Sequence, residues 1–200
     1  LPMMEPASNN QTQLIIPVGV SARHVHLAPE HVQILFGQDY RLTPCKDLQP
    51  GQFACEETVA LVGSKQALYH VRVLGPARGR TQVELATTDC YALGIEPVLR
   101  ASGDLTGTPG IAMVGPRGTL YLTEGVIVAW RHLHITPHQA HLFGLSDGAW
   151  AKVRAGGKRS LVLEQVLVRI SSAAAVELHI DTDEANAAGL KSGDQVELIC

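Results

Sequence analysis

The chain of 200 residues has no run of 18 apolar positions, so nothing in it has the length and hydropathy of a helical membrane span. It also lacks a basic start followed by an apolar segment, so a cleaved secretory signal is not expected and a cytoplasmic location is. Basic excess is missing as well. Sixteen Lys and Arg stand against 19 Asp and Glu, a net charge of −3, which speaks against duplex nucleic acid as a partner. The four cysteines, at 45, 55, 90 and 200, form no C-x-x-C pair. That leaves no zinc ribbon and no thioredoxin-like site, and without an export signal free thiols are expected. Gly-x-Ser-x-Gly, Walker A and Gly-x-Gly-x-x-Gly patterns are absent too, so serine hydrolase, P-loop and Rossmann readings have no support.

What is present is a globular composition, 46% hydrophobic and 18% charged, long enough for one large domain or two small ones. Short strand-like runs dominate: 15–20, 23–27, 58–62, 67–74, 82–86, 111–114, 119–122, 150–153, 161–170, 175–180 and 195–199. Turn residues such as Pro50-Gly51, Gly75-Pro76 and Pro109-Gly110 separate them. Helices are expected to be few and short, near 29–36, 89–94, 137–143 and 183–188. Pro29 and Pro137 suit a first helical position, and Thr136 suits a cap.

Residues 23–29 read RHVHLAP and residues 131–137 read RHLHITP. Arg, both His and Pro coincide, and each copy runs into a short helix ending in Phe-Gly, at 36–37 and 143–144. A fainter echo links Gln82-Val83-Glu84-Leu85 to Ala175-Val176-Glu177-Leu178. These repeats predict a mainly β protein of two β-barrel units from an internal duplication, with short capping helices. A flexible lead over 1–13 precedes a first repeat over 14–120 and a second over 121–200.

On a strand, residues i and i+2 share a face. His24 and His26 therefore stand side by side with Val25 and Leu27 turned to a core, and His132 and His134 repeat the arrangement. A single such pair also fits histidines that face solvent. A duplicated pair points to two metal ions, each needing a third ligand from another strand. Glu84 sits between the core-type residues Val83 and Leu85, and His179 sits likewise between Leu178 and Ile180. His138 and His141 suit a solvated helix face. Cys55 and Cys90 suit small buried residues. Arg78, in a turn before Glu84, is either a surface arginine or an anion clamp, since a guanidinium matches phosphate bidentately.

Several longer motifs then fall in a recognisable order. They include Gly19-Val20-Ser21 through Leu27, Leu48-Gln49-Pro50-Gly51-Gln52-Phe53-Ala54, Glu56-Glu57-Thr58-Val59 and Leu74-Gly75-Pro76-Ala77-Arg78. Thr81-Gln82-Val83-Glu84, Leu122-Thr123-Glu124-Gly125-Val126-Ile127, Arg131-His132-Leu133-His134 and His179 through Asn186 follow. From about Ile15 onward the chain resembles the PduL-type phosphotransacylases, the phosphate propanoyltransferases. The resemblance implies two barrels that exchange strands and two zinc ions per chain. One ion would be held by His24, His26 and Glu84, the other by His132, His134 and His179. Arg78 matches the family's phosphate-binding arginine. Coenzyme A is implied along Ser21, Ala22 and Arg23, with Lys65, Arg72 and Asn186 as looser matches. The implied activity is reversible transfer of a propanoyl or acetyl group between coenzyme A and inorganic phosphate, without an acyl-enzyme.

A dizinc hydrolase of thioesters or phosphoesters is the competing enzyme reading, and a protein with purely structural zinc is the third. Three ligands per ion and no cysteine among them favour catalysis over structure. Some relatives carry an N-terminal amphipathic segment that directs them into bacterial microcompartments. Residues 1–13 show no 3.6 period, which favours a cytoplasmic member. A homo-oligomer is compatible with the resemblance, and acyl chain length is not readable.

Overall fold

The computed structural model describes residues 14–199, and the expected lead at 1–13 and Cys200 lie outside them. In chain order the strands are β1 (Ile15–Ser21), β2 (His24–His26), β3 (Pro44–Asp47), β4 (Phe53–Val62), β5 (Ala67–Gly75), β6 (Gln82–Glu84), β7 (Leu99–Arg100) and β8 (Ile111–Val114). They continue with β9 (Thr119–Leu122), β10 (Val126–Ala129), β11 (His132–Ile135), β12 (Trp150–Ala155), β13 (Leu161–Ile170), β14 (Glu177–Asp181) and β15 (Gln195–Ile199). The helices are α1 (Pro29–Phe36), α2 (Thr87–Leu93), α3 (Pro137–Leu142) and α4 (Thr182–Ala188). None is long and apolar enough to cross a membrane.

The fold is mainly β, 43% strand against 15% helix, in two barrel units. Six strands close a barrel in the order β1-β14-β11-β13-β12-β15. The others form an open sheet, β7-β10-β6-β2-β5-β4-β8-β9, with β3 paired to β4. Each unit has its own aliphatic core. Val25, Leu27, Val73 and Val83 lie in one, and Leu133, Ile135, Leu178 and Ile180 in the other. At about 25 cal/mol per Å² of apolar surface, such side chains give each unit its main stabilisation.

The pairing repeats between units. In the open sheet β2 is antiparallel to β6 and parallel to β5, and in the closed barrel β11 is antiparallel to β14 and parallel to β13. The strand before each His-x-His motif is exchanged: β1 pairs with β14, and β10 pairs with β6, both in parallel. The registers also correct the fainter sequence echo. Glu84 stands opposite His24 and Gln82 opposite His26, whereas His179 stands opposite His132 and Glu177 opposite His134. The structural counterpart of Glu84 is thus His179, two residues beyond the Glu177 that the echo would align with it.

All four expected helices form, within two residues of their expected starts. Thr136 caps α3 by accepting from Gln139 N, and α4 opens with a capping box of Asp181 and Glu184. α1 has no cap of its own. Thr81 Oγ1 accepts from Ala28 N instead, at 2.8 Å. The duplicated arginine anchors the last helix of each repeat: Arg23 pairs with Asp89 of α2 at 2.7 Å, and Arg131 with Glu184 of α4 at 2.7 Å.

Candidate active site

β2 is buried on both faces, His24 and His26 being 6% and 3% exposed. Val25 fills the core, while the two imidazoles turn the other way toward Glu84. His24 Nε2 lies 3.4 Å from Glu84 Oε2, and His26 Nε2 lies 3.9 Å from Glu84 Oε1. A tetrahedral ion with bonds of about 2.1 Å holds its donors about 3.4 Å apart, so these three side chains need only slight contraction to fit one. His24 Nδ1 donates to Ala22 O at 2.9 Å, which aims Nε2 at the shared point. His26 Nδ1, the ring nitrogen on the other side from Glu84, is buried with no hydrogen-bond partner.

The second cluster follows the same plan. His132, His134 and His179 present ring centroids 4.7–5.0 Å apart. His132 Nδ1 donates to Trp130 O at 2.8 Å, repeating the His24–Ala22 bond two residues upstream. In both clusters all candidate ligand atoms lie within 4.8 Å of one another. His179 Nε2 bonds Glu177 Oε2 at 2.6 Å, and Gln49 Nε2 donates to the same oxygen at 3.1 Å. A Cβ on Gly19, the β1 neighbour of His179, would fall 2.8 Å from Glu177 Cδ and 3.0 Å from His179 Cδ2. A larger residue there would push the Glu177 carboxylate away from its place beside His179.

Two members of each cluster line one cavity. Ser21, His24 and Glu84 meet His132, His179, Trp130 and Arg131 around it, with His26 and His134 outside its lining. Burial holds His26 and His134 down to about 3 and His132 to about 4, with neighbouring imidazoles adding to the effect. These rings are neutral at pH 7, the form that ligates metal. His24 behaves otherwise. Burial disfavours its charge, but the Glu84 carboxylate outweighs burial and raises it. Glu84 is correspondingly pushed far down despite its burial, by the two imidazoles of its own set and by His132 across the cavity.

Arg78 lies half-buried in the turn before β6, its backbone N donating to Leu27 O at 2.8 Å. Burial lowers it and Glu84 opposes that shift, so Arg78 sits within the field of the first cluster. Its neighbour Arg80 is exposed and paired with Glu124. Of the remaining expected residues, Ser21 lines the cavity and Ala22 orients His24, while Arg23 is held by Asp89. Arg72, opposite His24 on β5, donates to Cys55 O and Glu56 O. Lys65 reaches Tyr91 O at 3.4 Å, and Asn186 is exposed on α4. His138 and His141 are exposed on α3. Cys55 and Cys90 are free and buried, their thiols pushed up to about 12 and about 11 by burial first, so neither is poised as a nucleophile. Cys45 is free and exposed.

Sequence reasoning missed Glu177, Gln49 and Gln82. Glu177 had a readable signal, since it precedes His179 by two on one strand and shares its face. Gln49 had none, because a turn between β3 and β4 brings it across the chain to Glu177.

A family model described as phosphate propanoyltransferase matches residues 17–191. The phosphate propanoyltransferase of Thermotoga maritima is 52% identical over 186 residues, 92% of this chain and 89% of that protein. That of Lachnoclostridium phytofermentans is 46% identical over 200 residues, 100% of this chain and 94% of its own length. That of Rhodopseudomonas palustris is 50% identical over 184 residues, covering 92% and 81%. With a family model spanning most of its length and relatives this similar, the chain belongs to the phosphate propanoyltransferase family of acyltransferases.

Proposed function

We propose that the protein catalyses acyl-CoA plus inorganic phosphate to acyl phosphate plus coenzyme A, reversibly, for a propanoyl or acetyl group, at a site holding two zinc ions per chain. The observation that carries this reading is the pair of three-donor sets, neither containing cysteine, with His24 and Glu84 of one and His132 and His179 of the other lining one cavity. His24, His26 and Glu84 hold one ion, and His132, His134 and His179 the other. Bound there, zinc supplies positive charge for phosphate oxygens and for the departing thiolate.

The chain's own residues do the rest. Arg78 grips phosphate through its forked donors. Coenzyme A lies along Ser21, Ala22 and Arg23, with Lys65, Arg72 and Asn186 as further contacts. A phosphate oxygen attacks the thioester carbonyl and the C–S bond breaks, so no side-chain nucleophile is needed. The buried cysteines agree with that. Location in the cytoplasm and duplication of one unit over 14–120 and 121–200 complete the proposal.

The deciding assay is release of free thiol from propanoyl-CoA or acetyl-CoA with and without phosphate. Release that depends on phosphate and yields acyl phosphate is expected. Equal release without phosphate means a hydrolase.

A pH effect follows from the opposed shifts. His24 is raised and must lose its proton to ligate, whereas His26, His132 and His134 are already neutral near pH 7. Zinc binding to the Glu84 set should release up to about one proton at pH 7, and its affinity should fall as pH drops. Calorimetry in buffers of different ionisation enthalpy measures the release. In Glu84→Gln, His24 loses its counter-charge and the release should shrink.

A further inference from the structure

Arg169 on β13 is a residue that the motif reading did not reach. β13 runs parallel to β11, with Leu167 opposite His132 and Arg169 opposite His134. Val166 and Val168 point into the closed barrel, so Arg169 stands on the face that carries the three imidazoles. Its guanidinium Nη2 donates to Ser102 O at 3.2 Å, across the junction to the loop after β7. Ser102 Oγ in turn accepts from Gln82 Nε2 at 2.8 Å and donates to Glu84 Oε1 at 3.4 Å. Arg169 therefore spans from the histidine cluster on which it is mounted to the surroundings of the other.

Its charge is felt on both sides. It stands beside His134 in the strand register, and it opposes the charge of Arg78 on the other side. Arg78 and Arg169 are both half-buried. Among the described residues Arg23, Arg80, Arg100, Arg131 and Arg154 form ion pairs; Arg41, Arg72, Arg117 and Arg159 form none and are exposed, whereas Arg78 and Arg169 form none and are half-buried. Glu84, the carboxylate that bears on Arg78, is already engaged by His24 and His26. Two half-buried guanidiniums thus bear on each other's charge, with no ion-paired carboxylate of their own. An anion with several oxygens resolves that repulsion, and a tetrahedral one offers each arginine separate oxygens.

We propose that Arg169 is the second arm of the phosphate clamp, contacting inorganic phosphate, or the phosphoryl group of the acyl phosphate, together with Arg78. This rests on the phosphotransacylase reading of the site. The bond to Ser102 O fixes the direction of the arm, so the guanidinium is positioned before phosphate arrives.

The test uses the full-length, zinc-loaded protein and the variants Arg169→Ala and Arg169→Lys. Inorganic phosphate titrated into each, followed by calorimetry, reads the clamp without turnover. Steady-state kinetics give KM for phosphate and for propanoyl-CoA separately, and metal analysis gives zinc content. Arg169→Ala should weaken phosphate binding and raise its KM about tenfold or more, with KM for propanoyl-CoA within about twofold and zinc content unchanged. Arg169→Lys should recover part of the loss. Phosphate binding within about twofold of wild type in Arg169→Ala overturns the proposal. So does a parallel loss of zinc, coenzyme A affinity and melting temperature, which would mean that Arg169 only supports the Ser102 loop. If wild-type protein binds phosphate, and Arg169→Ala does not, yet thiol release ignores phosphate, the clamp stands and the reaction assigned to the site falls.

Discussion

Glu84→Ala and His179→Ala should each leave the chain with about one zinc ion instead of two, and each should lower acyl transfer by more than about a hundredfold. Two donors remain in the damaged set in either case, His24 with His26 or His132 with His134, and two imidazoles alone hold zinc far less tightly than three donors do. The fold should survive both changes. β6 is fixed to the core by Val83, and β14 by Leu178 and Ile180, all within 1% exposure, while Glu84 and His179 face the cavity. The two variants also differ in charge. Glu84→Ala removes the single carboxylate of its set, so His24 loses the partner that raises it. His179→Ala removes a neutral ligand and frees Glu177, whose carboxyl is held down first by its bond to His179. Glu84→Gln should keep the shape, lose the charge and still bind weakly. Elemental analysis of gently purified protein checks all three, and two full equivalents of metal in either alanine variant would refute the ligand assignment.

Which parts of this site could be read without coordinates depends on how local each pattern is. His24–His26 and His132–His134 obey strand period 2 within three residues, so their shared face followed from spacing, and the buried Val25 and Leu133 bear it out. Pro29, Thr136 and Pro137 marked helix starts by equally local rules. The elements that escaped notice have no local period. Val126–Ala129 is a continuous apolar run covered by β6 on one side and β7 on the other. β3 is exposed at every position and exists through its pairing with β4. β7 is two residues long. The exchange of β1 and β10 between the units is likewise a matter of long-range pairing, which hydropathy along the chain does not encode. The duplicated arginine shows a further limit. Arg23 and Arg131 each form an ion pair to the last helix of the repeat, and Arg131 also lines the cavity. Repetition in a sequence records shared construction as readily as shared chemistry, and in Arg131 the two coincide.

Arg78→Ala should raise KM for phosphate about ten- to a hundred-and-fiftyfold while leaving KM for propanoyl-CoA nearly unchanged, since losing a charged hydrogen-bond donor costs about 1.5–3 kcal/mol. The selectivity of the effect follows from position. Arg78 lies within the field of Glu84 and of Arg169, and its backbone is fixed to the end of β2 through Leu27 O, so its reach is toward the junction of the two clusters. Arg80 is the natural control. It is two residues along the same turn, carries the same charge, and is exposed and engaged by Glu124, so Arg80→Ala should change stability and phosphate use by no more than about 0.5 kcal/mol. Arg78→Lys should recover only part of the loss, because an ammonium keeps the charge and loses the planar fork. The sign of the net charge change is the same in Arg78→Ala and Arg80→Ala, so a general field effect would harm both alike, and only a contact harms one. Kinetics with phosphate varied at saturating propanoyl-CoA separate these cases. Equal phosphate KM in the two alanine variants would remove Arg78 from the clamp and leave anion binding to the metal sites and Arg169.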